Sequence, residues 1–100
     1  MRLLIAEDHA PLRTSLAEVA TARGFEVREA DTFEAAVLAL ALFDPELCLI
    51  DFHLGSYLHN GRSLAQFAKR IRPDRRVVLM SGLIAPDCEQ EVEDDPMVDV

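Results

Sequence analysis

Three short runs are apolar at every position: LLIA at 3–6, LCLI at 47–50 and VVLM at 77–80. A strand with only one covered face alternates apolar and polar residues, so runs without alternation predict strands buried on both faces. Between them lie segments with helical spacing. Residues 11–23 carry Leu12, Leu16, Val19 and Ala20 as one expected helix face, opened by Pro11 and stopped by Gly24. Residues 25–29 (FEVRE) alternate like a strand with one wetter face. Asp31, with Glu34 three residues on, predicts a capped helix over 32–43, which Asp44-Pro45 ends. Residues 51–60 read as a loop. Residues 62–71 read as a helix with Leu64, Phe67, Ala68 and Ile71 inward, and 72–74 as a turn. A short acidic helix near 86–93 and a fifth apolar segment from Met97 complete the reading. Strand–helix alternation with doubly covered strands predicts an α/β fold, a doubly wound parallel sheet with helices on both faces.

One hundred residues, half of them apolar, are enough for one domain with a single core, and no repeat or second domain is visible. The longest apolar run, 35–43, is too short to span a membrane. The amino end meets acid within a few residues, unlike a signal peptide. Cys48 and Cys88 do not make a disulfide framework, and a reduced, cytoplasmic protein is expected. Of the net charge of −8, residues 87–100 contribute −7. That end argues against direct nucleic-acid binding, which needs Lys and Arg for phosphates. Arg70, Arg72, Arg75 and Arg76 read as a solvated helix end and turn. The helix from Thr32 is unusual, because between Phe33 and Phe43 only Glu34 is polar. It reads either as a tolerant Ala-rich helix with a few exposed leucines, or as a helix partly covered by a partner or by chain outside this sequence.

The polar residues that end the apolar runs carry the chemistry. Glu7 and Asp8 follow the first run, Asp51 the second and Ser81 the third. In an open parallel sheet, ligands bind at the carboxyl ends of the strands, where these residues converge. Carboxylates brought together repel and raise one another's pKa unless a cation lies among them. Mg²⁺ suits oxygen ligands and leaves room for a phosphoryl group. Ser81 can hydrogen-bond a phosphoryl oxygen, and a carboxylate can act as nucleophile to give an aspartyl phosphate. His9, His53 and His59 lack the spacing of a transition-metal site. Tyr57 and Leu58 read as local packing at a loop tip.

With these residues in place, the chain resembles the receiver domain of two-component response regulators, over its whole length. The resemblance implies a flavodoxin-like sheet in the order 2-1-3-4-5. It implies Asp51 as phosphoacceptor, Glu7 and Asp8 as the acidic pair that positions Mg²⁺, and a backbone carbonyl of His53 in the metal shell. Ser81 matches the hydroxyl residue that turns toward the phosphoryl group on activation. Leu83 matches a position that tunes dephosphorylation. The implied partners are a sensor histidine kinase or phosphotransfer protein and an output domain or effector outside this chain.

Three departures accompany the resemblance. Gly55 stands where the family usually has proline, and the loop before Gly61 is about two residues longer. The family's strand-five lysine is absent and by spacing would fall just beyond Val100; Lys69 is on another helix. Strand five is expected to be incomplete and the last helix missing, so residues 1–100 read as a receiver domain shortened at its end. Such shortening would leave apolar surface open to self-association. Two other readings stand beside the switch: an aspartate-nucleophile phosphatase or phosphotransferase, and a receiver-like interaction module that is not phosphorylated.

Overall fold

The computed structural model describes residues 1–56 and 59–80. The elements are β1 (Arg2–Ala6), α1 (Ala10–Ala22), β2 (Glu26–Ala30), α2 (Phe33–Leu42), β3 (Leu47–Asp51), α3 (Gly61–Ile71) and β4 (Arg76–Met80). The four strands form one parallel sheet in the order β2-β1-β3-β4. This is the doubly wound arrangement expected, up to strand four. The expected fourth helix, strand five, Ser81, Leu83 and the Tyr57–Leu58 loop tip all lie outside the described residues.

Strand periodicity divides the core into two layers. Leu4, Ala6, Cys48, Ile50, Val77 and Leu79 face α2 and α3, where Ala36, Leu40, Leu64, Ala65 and Ala68 meet them together with Leu54 of the loop after β3. Leu3 and Ile5 face α1, where Ala17 and Ala20 close the other side. Small residues on the helices let the backbones approach the sheet. Among the described residues, no helix is long and apolar enough to cross a membrane.

Several local expectations are corrected. In α1 the buried residues are Ala17 and Ala20, with Leu16 packed beside them, whereas Leu12 and Val19 are exposed. The inward stripe is therefore narrower and rotated from the one the leucines suggested. The cap of α2 is Thr32, not Asp31: its Oγ1 accepts the Ala35 amide at 3.0 Å. Glu34 is consequently one position too early for a capping box. In α3 it is Ala65 rather than Ile71 that is buried, and Ile71 is exposed. Asn60 and Ser63 cap this helix reciprocally, each side chain accepting the other residue's amide.

The largest correction concerns the arginines. Arg75 is not solvated but 1% exposed. Its guanidinium donates to Pro45 O at 2.7 Å, Ala68 O at 2.9 Å and Asp44 Oδ1 at 2.8 Å. Asp44 sits at a left-handed φ of 49°, and its main-chain oxygen also accepts from Arg2 and Arg72. This clasp joins the starts of β1, β3 and β4 at the end of the sheet opposite the carboxylates. Desolvation acts to raise the Asp44 pKa, but the Arg72 charge and the hydrogen bonds from Arg72 and Arg75 outweigh it and hold the carboxyl below its ordinary value.

Candidate functional site: a carboxylate cluster at the strand ends

Parallel pairing in register brings the ends of β1 and β3 side by side, with Ala6 opposite Ile50. Glu7 continues the line of β1, and its amide donates to Ala30 O at 3.0 Å. Arg13 adds a second hold on Glu7 by donating from Nη1 to its carbonyl at 2.9 Å, while its Nε pairs with Glu29 at 3.2 Å. The sequence reading missed Arg13, whose only advance signal was a cation one helical turn into α1. Asp51 is the last residue of β3, opposite Met80, and the Phe52 amide donates to Met80 O at 2.9 Å.

The result is one group of three carboxylates. Glu7, Asp8 and Asp51 each offer an oxygen, and these oxygens lie within 4.8 Å of one another. Glu7 is 4% exposed, Asp51 is half-buried and Asp8 faces solvent. The Glu7 pKa is raised chiefly by burial, opposed by a hydrogen bond that Oε1 accepts from the His9 amide. The charges of Asp51 and Asp8 raise it further. Desolvation exceeds the expected mutual repulsion because Glu7 continues a strand covered on both faces. An all-oxygen, graded-exposure donor set of this kind fits a hard divalent cation with open positions for water or phosphate oxygen.

The surrounding loop holds this geometry. The His53 amide donates to Asp51 Oδ1 at 3.3 Å, fixing one carboxylate oxygen. The His53 ring lies edge-on to Phe52 with centroids 5.3 Å apart and is exposed. Among the described residues, no histidine joins the carboxylate group as a ligand. Gly55 has φ 91°, and a Cβ there would strike the His59 carbonyl. Ser56 and His59 close the longer loop, the Ser56 amide donating to His59 O at 2.9 Å. His59 rests edge-on against Phe33 at 5.3 Å, beside a cleft of about 380 Å³ that reaches Asp8. Lys69 donates from Nζ to Arg75 O at 2.8 Å, at the far end of the sheet from Asp51.

No family model and no curated protein matches the sequence. Solved structures do. A response regulator receiver domain protein (CheY-like) from Methanospirillum hungatei superposes with a TM-score of 0.80 at 22% identity, over 89% of this chain and 70% of that one. The fold is that of response-regulator receiver domains. A response regulator from Burkholderia pseudomallei, solved with a phosphorylated aspartic acid, a calcium ion and citrate, gives a TM-score of 0.79 at 26% identity, over 93% of this chain and 54% of that one. The response regulator TrrA from Thermotoga maritima, in complex with Mg²⁺ and BeF, gives 0.74 at 21% identity, over 82% and 70%. On this receiver fold, the three carboxylates occupy the carboxyl ends of adjacent central strands, the place where such sheets bind ligands.

Proposed function

We propose that this chain is the phosphoaccepting switch of a two-component system, with Asp51 as acceptor and a histidine kinase or phosphotransfer protein as donor. The observation that carries this reading is the convergence of Glu7, Asp8 and Asp51 within 4.8 Å at the strand ends of a receiver fold.

Each residue has a distinct part. An Asp51 oxygen attacks the phosphorus of the donor's phosphohistidine. The new P–O bond makes an acyl phosphate while the P–N bond breaks, and the imidazole leaves with the electron pair and takes up a proton. Mg²⁺, when bound, offsets the negative charge that gathers as phosphate approaches carboxylate. Asp8 and Asp51 would hold it directly and Glu7 through water, with the His53 carbonyl as a further ligand. The His53 amide keeps one Asp51 oxygen engaged, which leaves the other for attack. Ser81 supplies a hydroxyl to the phosphoryl group. Contact between them favours one arrangement of the neighbouring surface, so the output is a shift of population. An effector or output domain reads that shift, and no direct contact with nucleic acid or membrane is needed from this domain.

The test is intact mass after incubation with acetyl phosphate and Mg²⁺, beside Asp51→Asn. One phosphoryl adduct on the native chain and none on the variant supports the reading. Multiple turnover of small phosphate esters would favour a phosphatase instead.

A further inference from the structure

Glu7 stands one residue past the end of β1 and is still half paired with the sheet. Its amide donates to Ala30 O at 3.0 Å. Its carbonyl has left the ladder: among the described residues no backbone amide donates to it, although Glu7 is buried. Arg13 fills that place from across the loop, donating from Nη1 at 2.9 Å. The oxygen so held belongs to the peptide plane that joins Glu7 to Asp8, and such a plane turns as one rigid unit. Holding the oxygen therefore fixes the direction in which Asp8 leaves the strand.

Arg13 stands where a helix does not favour it. α1 begins without a side-chain cap and without an acid in its first turn, and a cation near that end opposes the helix dipole. The position is nonetheless built. Glu29 of the edge strand β2 accepts from Nε at 3.2 Å, and the Arg13 side chain is only 18% exposed. The two contacts use different nitrogens of one planar group, so Glu29 orients the guanidinium while Nη1 reaches the Glu7 carbonyl.

We infer that Glu29 and Arg13 form a brace that aims Asp8 at the metal position, with Arg13 as the positioning residue and Glu29 as its guide. This role rests on the proposed Mg²⁺ site, and not on which carboxylate accepts phosphate. With the brace in place, Asp8 is already set beside Asp51 and the cation has less ordering to impose. Without it, a buried carbonyl loses its donor and the peptide plane turns to find another, carrying Asp8 away. Charge and geometry have opposite signs here. A guanidinium repels Mg²⁺ through space, so removing its charge alone would tighten binding. Removing the brace loosens it.

Titration calorimetry with Mg²⁺ alone on the whole chain reads this, beside urea unfolding of each variant. Arg13→Ala should weaken Mg²⁺ by about tenfold, as loss of a ligand-orienting partner does. Arg13→Lys keeps the charge but not the two-pronged hold, and should not restore native affinity. Glu29→Ala, at an exposed position, should weaken binding in the same direction and add nothing once Arg13 is removed. If Arg13→Ala fails to fold, Glu29→Ala beside Glu29→Gln decides, because the amide keeps an acceptor for Nε. Weaker binding in the first than in the second supports the brace, and equal binding in the two overturns it. Native or tighter binding by a folded Arg13→Ala chain also overturns it. So does a Glu29→Ala effect that persists without Arg13, which would assign it to the Glu29 charge. A native chain that takes up no Mg²⁺ contradicts the metal site itself, and the brace falls with it.

Discussion

Gly61 is set against the main chain of Asp51: a Cβ built on Gly61 would collide with the Asp51 carbonyl oxygen and crowd the Phe52 Cα. The proposed acceptor and the first residue of α3 are thus held back to back, with the Gly61 amide donating to Phe52 O at 3.3 Å. The atoms in the way are backbone and cannot rotate aside. Gly61→Ala should therefore displace either the acceptor loop or the start of α3, costing about 1–3 kcal/mol. Urea unfolding checks the stability, and the rate of acetyl phosphate labelling should fall with it.

Arg75 should matter for stability and not for chemistry. Arg75→Ala strands the Pro45 carbonyl, worth about 1–3 kcal/mol when left unsatisfied, and leaves the Ala68 carbonyl only the Arg72 amide at 3.3 Å. Arg75→Lys keeps the charge but cannot reproduce the three-way fork. Denaturation midpoints should drop for both variants. Mg²⁺ affinity, measured by calorimetry where the variants remain folded, should stay unchanged because the clasp lies at the opposite end of the sheet.

The same clasp links stability to pH. The folded Asp44 pKa is depressed, so its contribution is complete above the unfolded aspartate pKa and disappears as pH falls through the lower folded value. Melting temperatures on an acid series should show Asp44→Asn losing less stability than the native chain across that window. Parallel curves would contradict the linkage.

Divalent cations should stabilise the folded chain. Binding to the native state alone raises stability by about 1.4 kcal/mol at ten times Kd. Mg²⁺ should therefore raise the melting temperature, and EDTA should reverse the rise. Asp8→Asn should raise the melting temperature without Mg²⁺, by relieving repulsion, and blunt the response to it.

Cys48 is fully buried, and burial pushes its thiol up to about 12 despite the opposing charge of Arg75. Alkylation at neutral pH should spare it in the native chain and reach it only in denaturant, as peptide mass mapping would show.

Much of this architecture was legible because it is periodic. Runs apolar at every position marked β1, β3 and β4 within a residue of their ends, and acids directly after them marked Glu7, Asp8 and Asp51. What was not legible depended on distant partners. Arg75 reads as a turn arginine until Asp44 and Pro45, some thirty residues earlier, are brought beneath it. Leu12 and Val19 fit a helical stripe by spacing, but α1 packs on the sheet through Ala17 and Ala20, which allow a closer approach. Thr32 and Asp31 are both good caps, and only the start of α2 decides between them. Arg13 gave no sign beyond its place in the first turn of α1 that it braces Glu7, because that contact is to a backbone oxygen.

The central claim is that Asp51 carries the phosphoryl group. The most direct measurement is borohydride reduction after incubation with acetyl phosphate and Mg²⁺, followed by peptide sequencing, because an aspartyl phosphate is reduced to homoserine. Homoserine at position 51, dependent on Mg²⁺ and lost in Asp8→Asn, is the predicted result. Homoserine at any other acid, or none with the fold intact, would contradict it.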